Sequence, residues 1–259
     1  MKQHISFLAL AGILGTGFAN TVAANTLTFA GTINQVAGGT SFDTWKFIIQ
    51  SAGTFTVDLA AYEATQSSTS SAGYVSHDIN GDGELTWLDP DTHFYQDDGH
   101  LDAIDALVRC DDTQNNCAVY QNGLDASSSP VVVNSHLQSE SALDGTVHFR
   151  RDPWFDTTFA AAGNYLFLVA DYRLTPAEAE GGYNGFGGSP DSFSAPSGFV
   201  EPILDHADYK VTLSSDTLNF SISGNTITVT AVPVPAAFWL FGSALVSMGA
   251  IGRRKPVAV

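Results

Sequence analysis

Positive charge is scarce in this chain. Ten Lys and Arg stand against 27 Asp and Glu in 259 residues, a net charge of −17. Lys2, Arg253, Arg254 and Lys255 lie at the two ends. Only Lys46, Arg109, Arg150, Arg151, Arg173 and Lys210 share the middle with the acids. Nucleic acid and anionic lipid surfaces need cationic patches, so the charge argues against both as partners. The excess favours divalent cations; the bland alternative is that acidity keeps the chain soluble. Catalytic signatures are also missing. There is no Gly-x-Ser-x-Gly, no His-Glu-x-x-His and no phosphate loop. Gly187-Gly188-Ser189-Pro190-Asp191 is loop composition. Histidines are scattered, and His93 with His100 is the pair a zinc site would use. No enzyme is expected.

Cysteine is limited to Cys110 and Cys117. An even count in an exported chain suggests a disulfide. A thiolate metal site lacks the spacing and a second pair.

Long amphipathic helices are absent between the ends. What is present instead is short, alternating and rich in Thr, Val, Phe and Tyr, which reads as strand. Leu27 to Ile33 puts Leu27, Phe29 and Gly31 on one side. Thr44 to Gln50 and Thr54 to Tyr62 flank Ser51-Ala52-Gly53, with Phe55, Val57 and Leu59 on one face. Asn164 to Leu174 is nearly continuously apolar at its centre and so belongs mid-sheet. Asp208 to Ser214 alternates again. Leu218 to Ile222 and Thr226 to Thr230 flank Ser223-Gly224-Asn225 as a hairpin. Thr175, Pro176 and Glu178 have the pattern of a capped helical turn. The expected fold is an all-β, jelly-roll-like sandwich over 25–231, carrying an insert at about 66–134.

The insert holds the strongest motif, Asp78-Ile79-Asn80-Gly81-Asp82-Gly83-Glu84-Leu85-Thr86-Trp87-Leu88-Asp89, which fits an EF-hand calcium loop. Calcium takes six to eight oxygens. Asp78, Asn80 and Asp82 are spaced to supply side-chain oxygens, Gly83 permits the sharp turn, and Glu84 offers its carbonyl. Thr86 would act directly or through water, and Asp89 closes the site at the twelfth position. Asp stands there in place of the common Glu, as in dockerin-type loops, and Pro90 stops any following helix. The motif therefore resembles a calcium loop grafted on a β-domain. A metal-free acidic turn is the plain alternative. From Asp78 to Asp112 there are eleven acids and one cation, Arg109. Asp97, Asp98, Asp102, Asp105, Asp111 and Asp112 could supply a second cation site, or sugar-binding hydrogen bonds, or simply a solvated face.

The ends point to export. Met1-Lys2, the apolar run Ile5 to Phe18 and Val22-Ala23-Ala24 read as a signal peptide over 1–24. Near the other end, Ala236 to Ile251 is uncharged and about 24 Å long as a helix. That is marginal against a hydrocarbon core of about 30 Å. Arg253-Arg254-Lys255 behind it would stay cytoplasmic. The segment 232–255, opening Val232-Pro233-Val234-Pro235-Ala236-Ala237-Phe238-Trp239-Leu240-Phe241-Gly242-Ser243, resembles the PEP-CTERM sorting signal, with Val-Pro-Val-Pro in place of Pro-Glu-Pro; 256–259 is a tail. This resemblance implies a transient inner-membrane stop, recognition by an exosortase-like transpeptidase and release to the envelope or extracellular matrix. A second, weaker resemblance is to bacterial pre-peptidase C-terminal domains. Its residues are Phe42-Asp43-Thr44-Trp45-Lys46-Phe47, Ala52 to Asp58, His93-Phe94-Tyr95-Gln96-Asp97-Asp98-Gly99, Ala162 to Val169 and Ala207 to Leu213. It implies a sandwich that binds or packs and does not catalyse.

The expected protein is thus a non-enzymatic, calcium-stabilised component of the cell surface or exopolysaccharide matrix. The alternative is a carbohydrate-binding or adhesive module, with Trp87, Tyr95, Trp154 and Tyr183 as candidate sugar-stacking aromatics (packing in the core or a loop is the plainer reading of each), and more remotely a secreted glycoside hydrolase.

Overall fold

A computed structural model describes residues 25–66, 74–76, 78–111, 117–120, 130–136, 151–185, 193 and 204–233. The signal segment 1–24 lies outside these residues, as does the sorting segment beyond Pro233. Among the described residues no helix is long and apolar enough to cross a membrane.

The chain is mostly β. Its strands, in order, are β1 (Asn25–Val36), β2 (Gly39–Thr40), β3 (Phe42–Ile49), β4 (Gly53–Ala60), β5 (Ala64–Gln66), β6 (Tyr74–Ser76), β7 (Pro90–Gln96), β8 (Ala106–Cys110), β9 (Cys117–Val119), β10 (Val131–Ser135), β11 (Trp154–Phe159), β12 (Gly163–Asp171), β13 (His206–Ser215), β14 (Leu218–Ser223) and β15 (Thr226–Ala231). One short helix, α1 (Pro176–Gly181), follows β12. The first main sheet has the order β10-β11-β4-β13-β1-β2, and the second β14-β15-β3-β12-β7-β8-β9. β5 and β6 form a separate pair.

Alternation in the sequence decides which side chains meet between the sheets. Phe29 and Ile33 of β1, Phe55, Val57 and Leu59 of β4, and Tyr209, Val211 and Leu213 of β13 point inward from the first sheet. Phe47 and Ile49, Phe94, and Tyr165, Phe167 and Val169 answer from the second. Phenylalanine dominates this core. The Phe47 ring lies 6.1 Å from Phe55, 5.7 Å from Phe94 and 5.6 Å from Phe167. β12 sits mid-sheet between β3 and β7, as its apolar run requires. Its other face, Leu168 and Ala170, packs with Leu174 and Ala179 in a smaller cluster beneath α1.

The local signals are realised. Thr175 and Glu178 form a reciprocal capping box with Pro176 in the first turn of α1. Gly224, at φ 58°, turns β14 into β15. Cys110 and Cys117 are bonded and directly opposite in the β8–β9 pair. β7, β8 and β9 fall within the stretch read as an insert, yet they extend the second sheet directly from β12.

A polar lock crosses between the sheets. Trp45 Nε1 donates to the Tyr209 hydroxyl (2.8 Å), which donates to Asp43 Oδ2 (2.7 Å). Gly31 lies under this lock, and a Cβ there would collide with Asp43 and Tyr209. Burial raises the Asp43 pKa, against the opposing effect of the Tyr209 hydrogen bond. A carboxyl raised in the folded state contributes stability that is complete below its unfolded value, about 4, and is lost as pH rises through the folded value. Asp43→Asn keeps an acceptor for Tyr209 and removes that titration. Its stability relative to the parent chain should therefore climb as pH rises above about 4. Urea unfolding of both proteins across a pH series checks this; a constant difference would contradict it.

Candidate functional site

The acid-rich stretch 78–111 is built onto the second sheet and one end of the first. Its first part, the predicted calcium loop, has two halves. The outer half is solvent-exposed and turns at Gly81 and Gly83, which have φ 80° and 89°. Such angles suit glycine, in agreement with the role expected of Gly83. Asp78 accepts from the backbone N–H of Gly81 and of Gly83, the latter at 2.9 Å. The Gly83 bond is the main reason its pKa lies below the usual carboxylate range. Asn80 Oδ1 accepts from Asp82 N (3.0 Å) and Asp82 Oδ1 from Glu84 N (2.8 Å). Asn80 Nδ2 also donates to Asp208 Oδ2 at 3.0 Å, tying the loop to β13. The Glu84 side chain is exposed and lies 3.3 Å from His206 Nε2.

The inner half is pinned into the body. Thr86 is buried; its Oγ1 accepts from Asp208 N (2.8 Å) and its N–H donates to Glu63. Glu63 also accepts from Ile79 N at 2.8 Å. Asp89 is fully buried and paired with Arg151. Asp78, Asp82, Glu84 and Asp89 do not bring their carboxylates into one convergent group. Beneath the loop, Asp58, Glu63, Asp89, Asp152 and Asp208 are all buried. Burial raises Glu63, and it raises Asp152 well above the carboxylate range, with the charges of Asp58 and Asp89 adding to the shift. Sequence reasoning missed Glu63, Asp152 and Asp208. They are far apart along the chain and match no spacing, and only their places beside apolar strand residues could have flagged them.

The second part does converge. β7 ends at Gln96, and Asp97, which accepts from Gly99 N (3.0 Å), starts a turn through Gly99 at φ 111°. Lys46 Nζ of β3 holds Asp97 at 2.9 Å. A single 3₁₀ turn, Ala103–Asp105, then closes the loop, and Glu180 of α1 accepts from Ala103 N at 3.2 Å. This path places one carboxylate oxygen each from Asp98, Asp102 and Asp105 within 4.8 Å of one another. Among the described residues, the buried Asp105 Oδ2 has no hydrogen-bond partner. Three negative charges so close repel by roughly 1 kcal/mol per pair in water, and several-fold more at the effective dielectric of a protein surface. Desolvation, then the charges of Asp98 and Asp102, raise the Asp105 pKa accordingly. This cluster could hold a metal ion. Its donors are all oxygen, which fits a hard divalent cation better than zinc or copper. Asp97, read from the sequence as a member, faces Lys46. Asp111 faces Arg109 at 2.9 Å, and Asp112 lies outside the described residues.

Other expectations change. His93 is buried between Asp91 (3.4 Å) and Tyr120 (3.3 Å), and Arg109 Nε donates to Asp91 at 2.7 Å. His100 is exposed, and the described residues contain no zinc-type group joining the two. Trp87, Tyr95 and Trp154 are buried and unable to stack on a sugar from outside, whereas Tyr183 is exposed. Trp87 is drawn in because its strand-like bridge to Tyr62 docks the loop.

No protein family, curated protein or solved structure matches the chain.

Proposed function

We propose that this chain is an exported, non-catalytic β-sandwich of the cell surface or exopolysaccharide matrix, ordered by calcium and delivered by an exosortase-like transpeptidase. The observation that carries the cation reading is the convergence of Asp98, Asp102 and Asp105 around the unpartnered Asp105 Oδ2. Asp98 sits on the turn after β7, while Asp102 precedes the 3₁₀ turn and Asp105 ends it; these three would hold the ion. The ion would supply the positive charge that this part of the chain lacks. The loop 78–89 is the second place for calcium, through Asp78, Asn80, Asp82, Glu84, Thr86 and Asp89. Binding there needs Asp89 to exchange Arg151 for the ion.

The finer fold assignment, a jelly-roll-like sandwich, is supported by the chain's repeated crossing between sheets: β3 to β4, β11 to β12, β12 to β13 and β13 to β14. Export rests on the sequence of the two ends. An intact-mass measurement on the protein recovered from a Gram-negative host carrying an exosortase tests it. The expected product lies outside the cytoplasm, begins at Asn25 and ends near Val232 to Pro235. Recovery from the cytosol with both ends retained would overturn the reading.

A further inference from the structure

The outward face of the first sheet carries a polar row that neither the core nor the cation sites use. Strand registers place Thr26, Ser214, Thr56, Asp156 and Asn134 side by side across β1, β13, β4, β11 and β10. Such neighbours are about 4.8 Å apart. Alternation produces the row: on β4 the core takes Phe55 and Val57, which leaves Thr54 and Thr56 outside. A groove of about 340 Å³ lies over the middle of this row, lined chiefly by Thr54, Thr56, Asp156, Ser214, Asp216 and Thr217. That volume is in the range of small-ligand sites.

The groove is organised. Ser215 Oγ donates to Thr54 O (2.8 Å) and accepts from Thr217 N and Leu218 N (both 3.3 Å), which fixes the turn that carries Asp216 at the rim. Asp156 is gripped at Oδ1 alone, by Thr56 Oγ1 (2.6 Å) and by His136 Nε2 (3.1 Å). Its Oδ2 has no hydrogen bond among the described residues. His136 is itself stacked on Trp154 with ring centres 4.4 Å apart.

We infer that this groove binds a neutral, hydroxyl-rich saccharide segment. The lining offers hydroxyls, which both donate and accept, and carboxylates, which accept only. That set is complementary to a ligand rich in hydroxyl groups. Among the described residues no Lys or Arg lines the groove, and His136 is turned to Asp156 Oδ1, so phosphate, sulfate and uronate groups would be repelled by Asp156 and Asp216. The inference deepens the matrix reading and rests on it for where the ligand is met, not for the geometry.

Calorimetric titration of the full chain with cellohexaose, maltohexaose and isomaltohexaose, and with trigalacturonate as the charged comparator, tests it. At least one neutral hexasaccharide should bind, and trigalacturonate should bind at least tenfold more weakly. Asp156→Asn with Asp216→Asn should weaken the neutral ligand at least tenfold without moving the melting temperature. Should the pair disturb the fold, Asp216→Asn alone, at an exposed position, should still weaken binding severalfold. No binding by any neutral sugar, preference for the uronate, or unchanged affinity in the variants would overturn the groove. Correctly processed ends on an extracellular product would leave the matrix reading standing in each of those cases.

Discussion

Phe47→Ala should lower the unfolding free energy by about 3–5 kcal/mol, the usual cost of emptying a large buried aromatic site. Phe47 is fully buried on β3 and its ring faces Phe55 of the opposite sheet as well as Phe94 and Phe167 of its own. Its loss leaves a cavity where strands of both sheets meet. Domains are stable by only about 5–15 kcal/mol, so this one side chain accounts for a large share. The neighbouring Lys46 holds Asp97 at the start of the acidic turn, so loosening β3 also loosens the approach to the acid cluster. Phe47→Leu refills part of the space and should cost clearly less. Urea unfolding of both variants checks the order; equal costs would mean that the interlocked rings do not set the stability of the core.

Calcium at about a hundred times its dissociation constant should stabilise the chain by about 2.7 kcal/mol per site. For a domain of this size that corresponds to a melting shift of about 5–10 °C. Asp98→Asn with Asp105→Asn should act in opposite directions on the two states. Without calcium the variant should melt higher than the parent chain, because two of three mutually repelling carboxylates are neutral. With calcium it should lose at least half of the parent's gain. A purely structural role for these residues would move both melting curves the same way. Asp78→Asn with Asp82→Asn reports separately on the loop 78–89: it should weaken only the calcium increment that belongs to that loop. Melting curves in calcium and in chelator distinguish these outcomes.

Part of the core was legible because side chains alternate cleanly or run apolar, whereas β8, β10 and β11, which supply Val108, Val131 and Phe155 to it, were not read as strands. Phe29 and Ile33 on β1, the run of β12 and the hairpin of β14 and β15 follow from period and turn chemistry alone. The Thr175–Glu178 capping box and the Cys110–Cys117 pair were equally local. β7 was only faintly legible. It buries Asp91, Thr92 and His93, and polar residues inside a strand read as loop until the partners, such as Arg109 on β8, are known. Acid richness around Asp98 was visible, but convergence was not. It depends on a turn at Gly99 and a 3₁₀ turn at Asp105 that bring positions three and four apart into contact. The buried acids beneath the calcium loop come from separate strands and loops, so no linear spacing could reveal them. Trp87, Tyr95 and Trp154 were open to two readings in the sequence, sugar stacking or packing inside, and their burial matches the second. Backbone pairing, not composition, decided their burial.

Titration calorimetry of calcium into the chelator-treated full chain tests the central claim most directly. Saturable binding of at least one ion, with one site lost in Asp98→Asn with Asp105→Asn, is the predicted result. Absence of any bound calcium at millimolar concentration would contradict it.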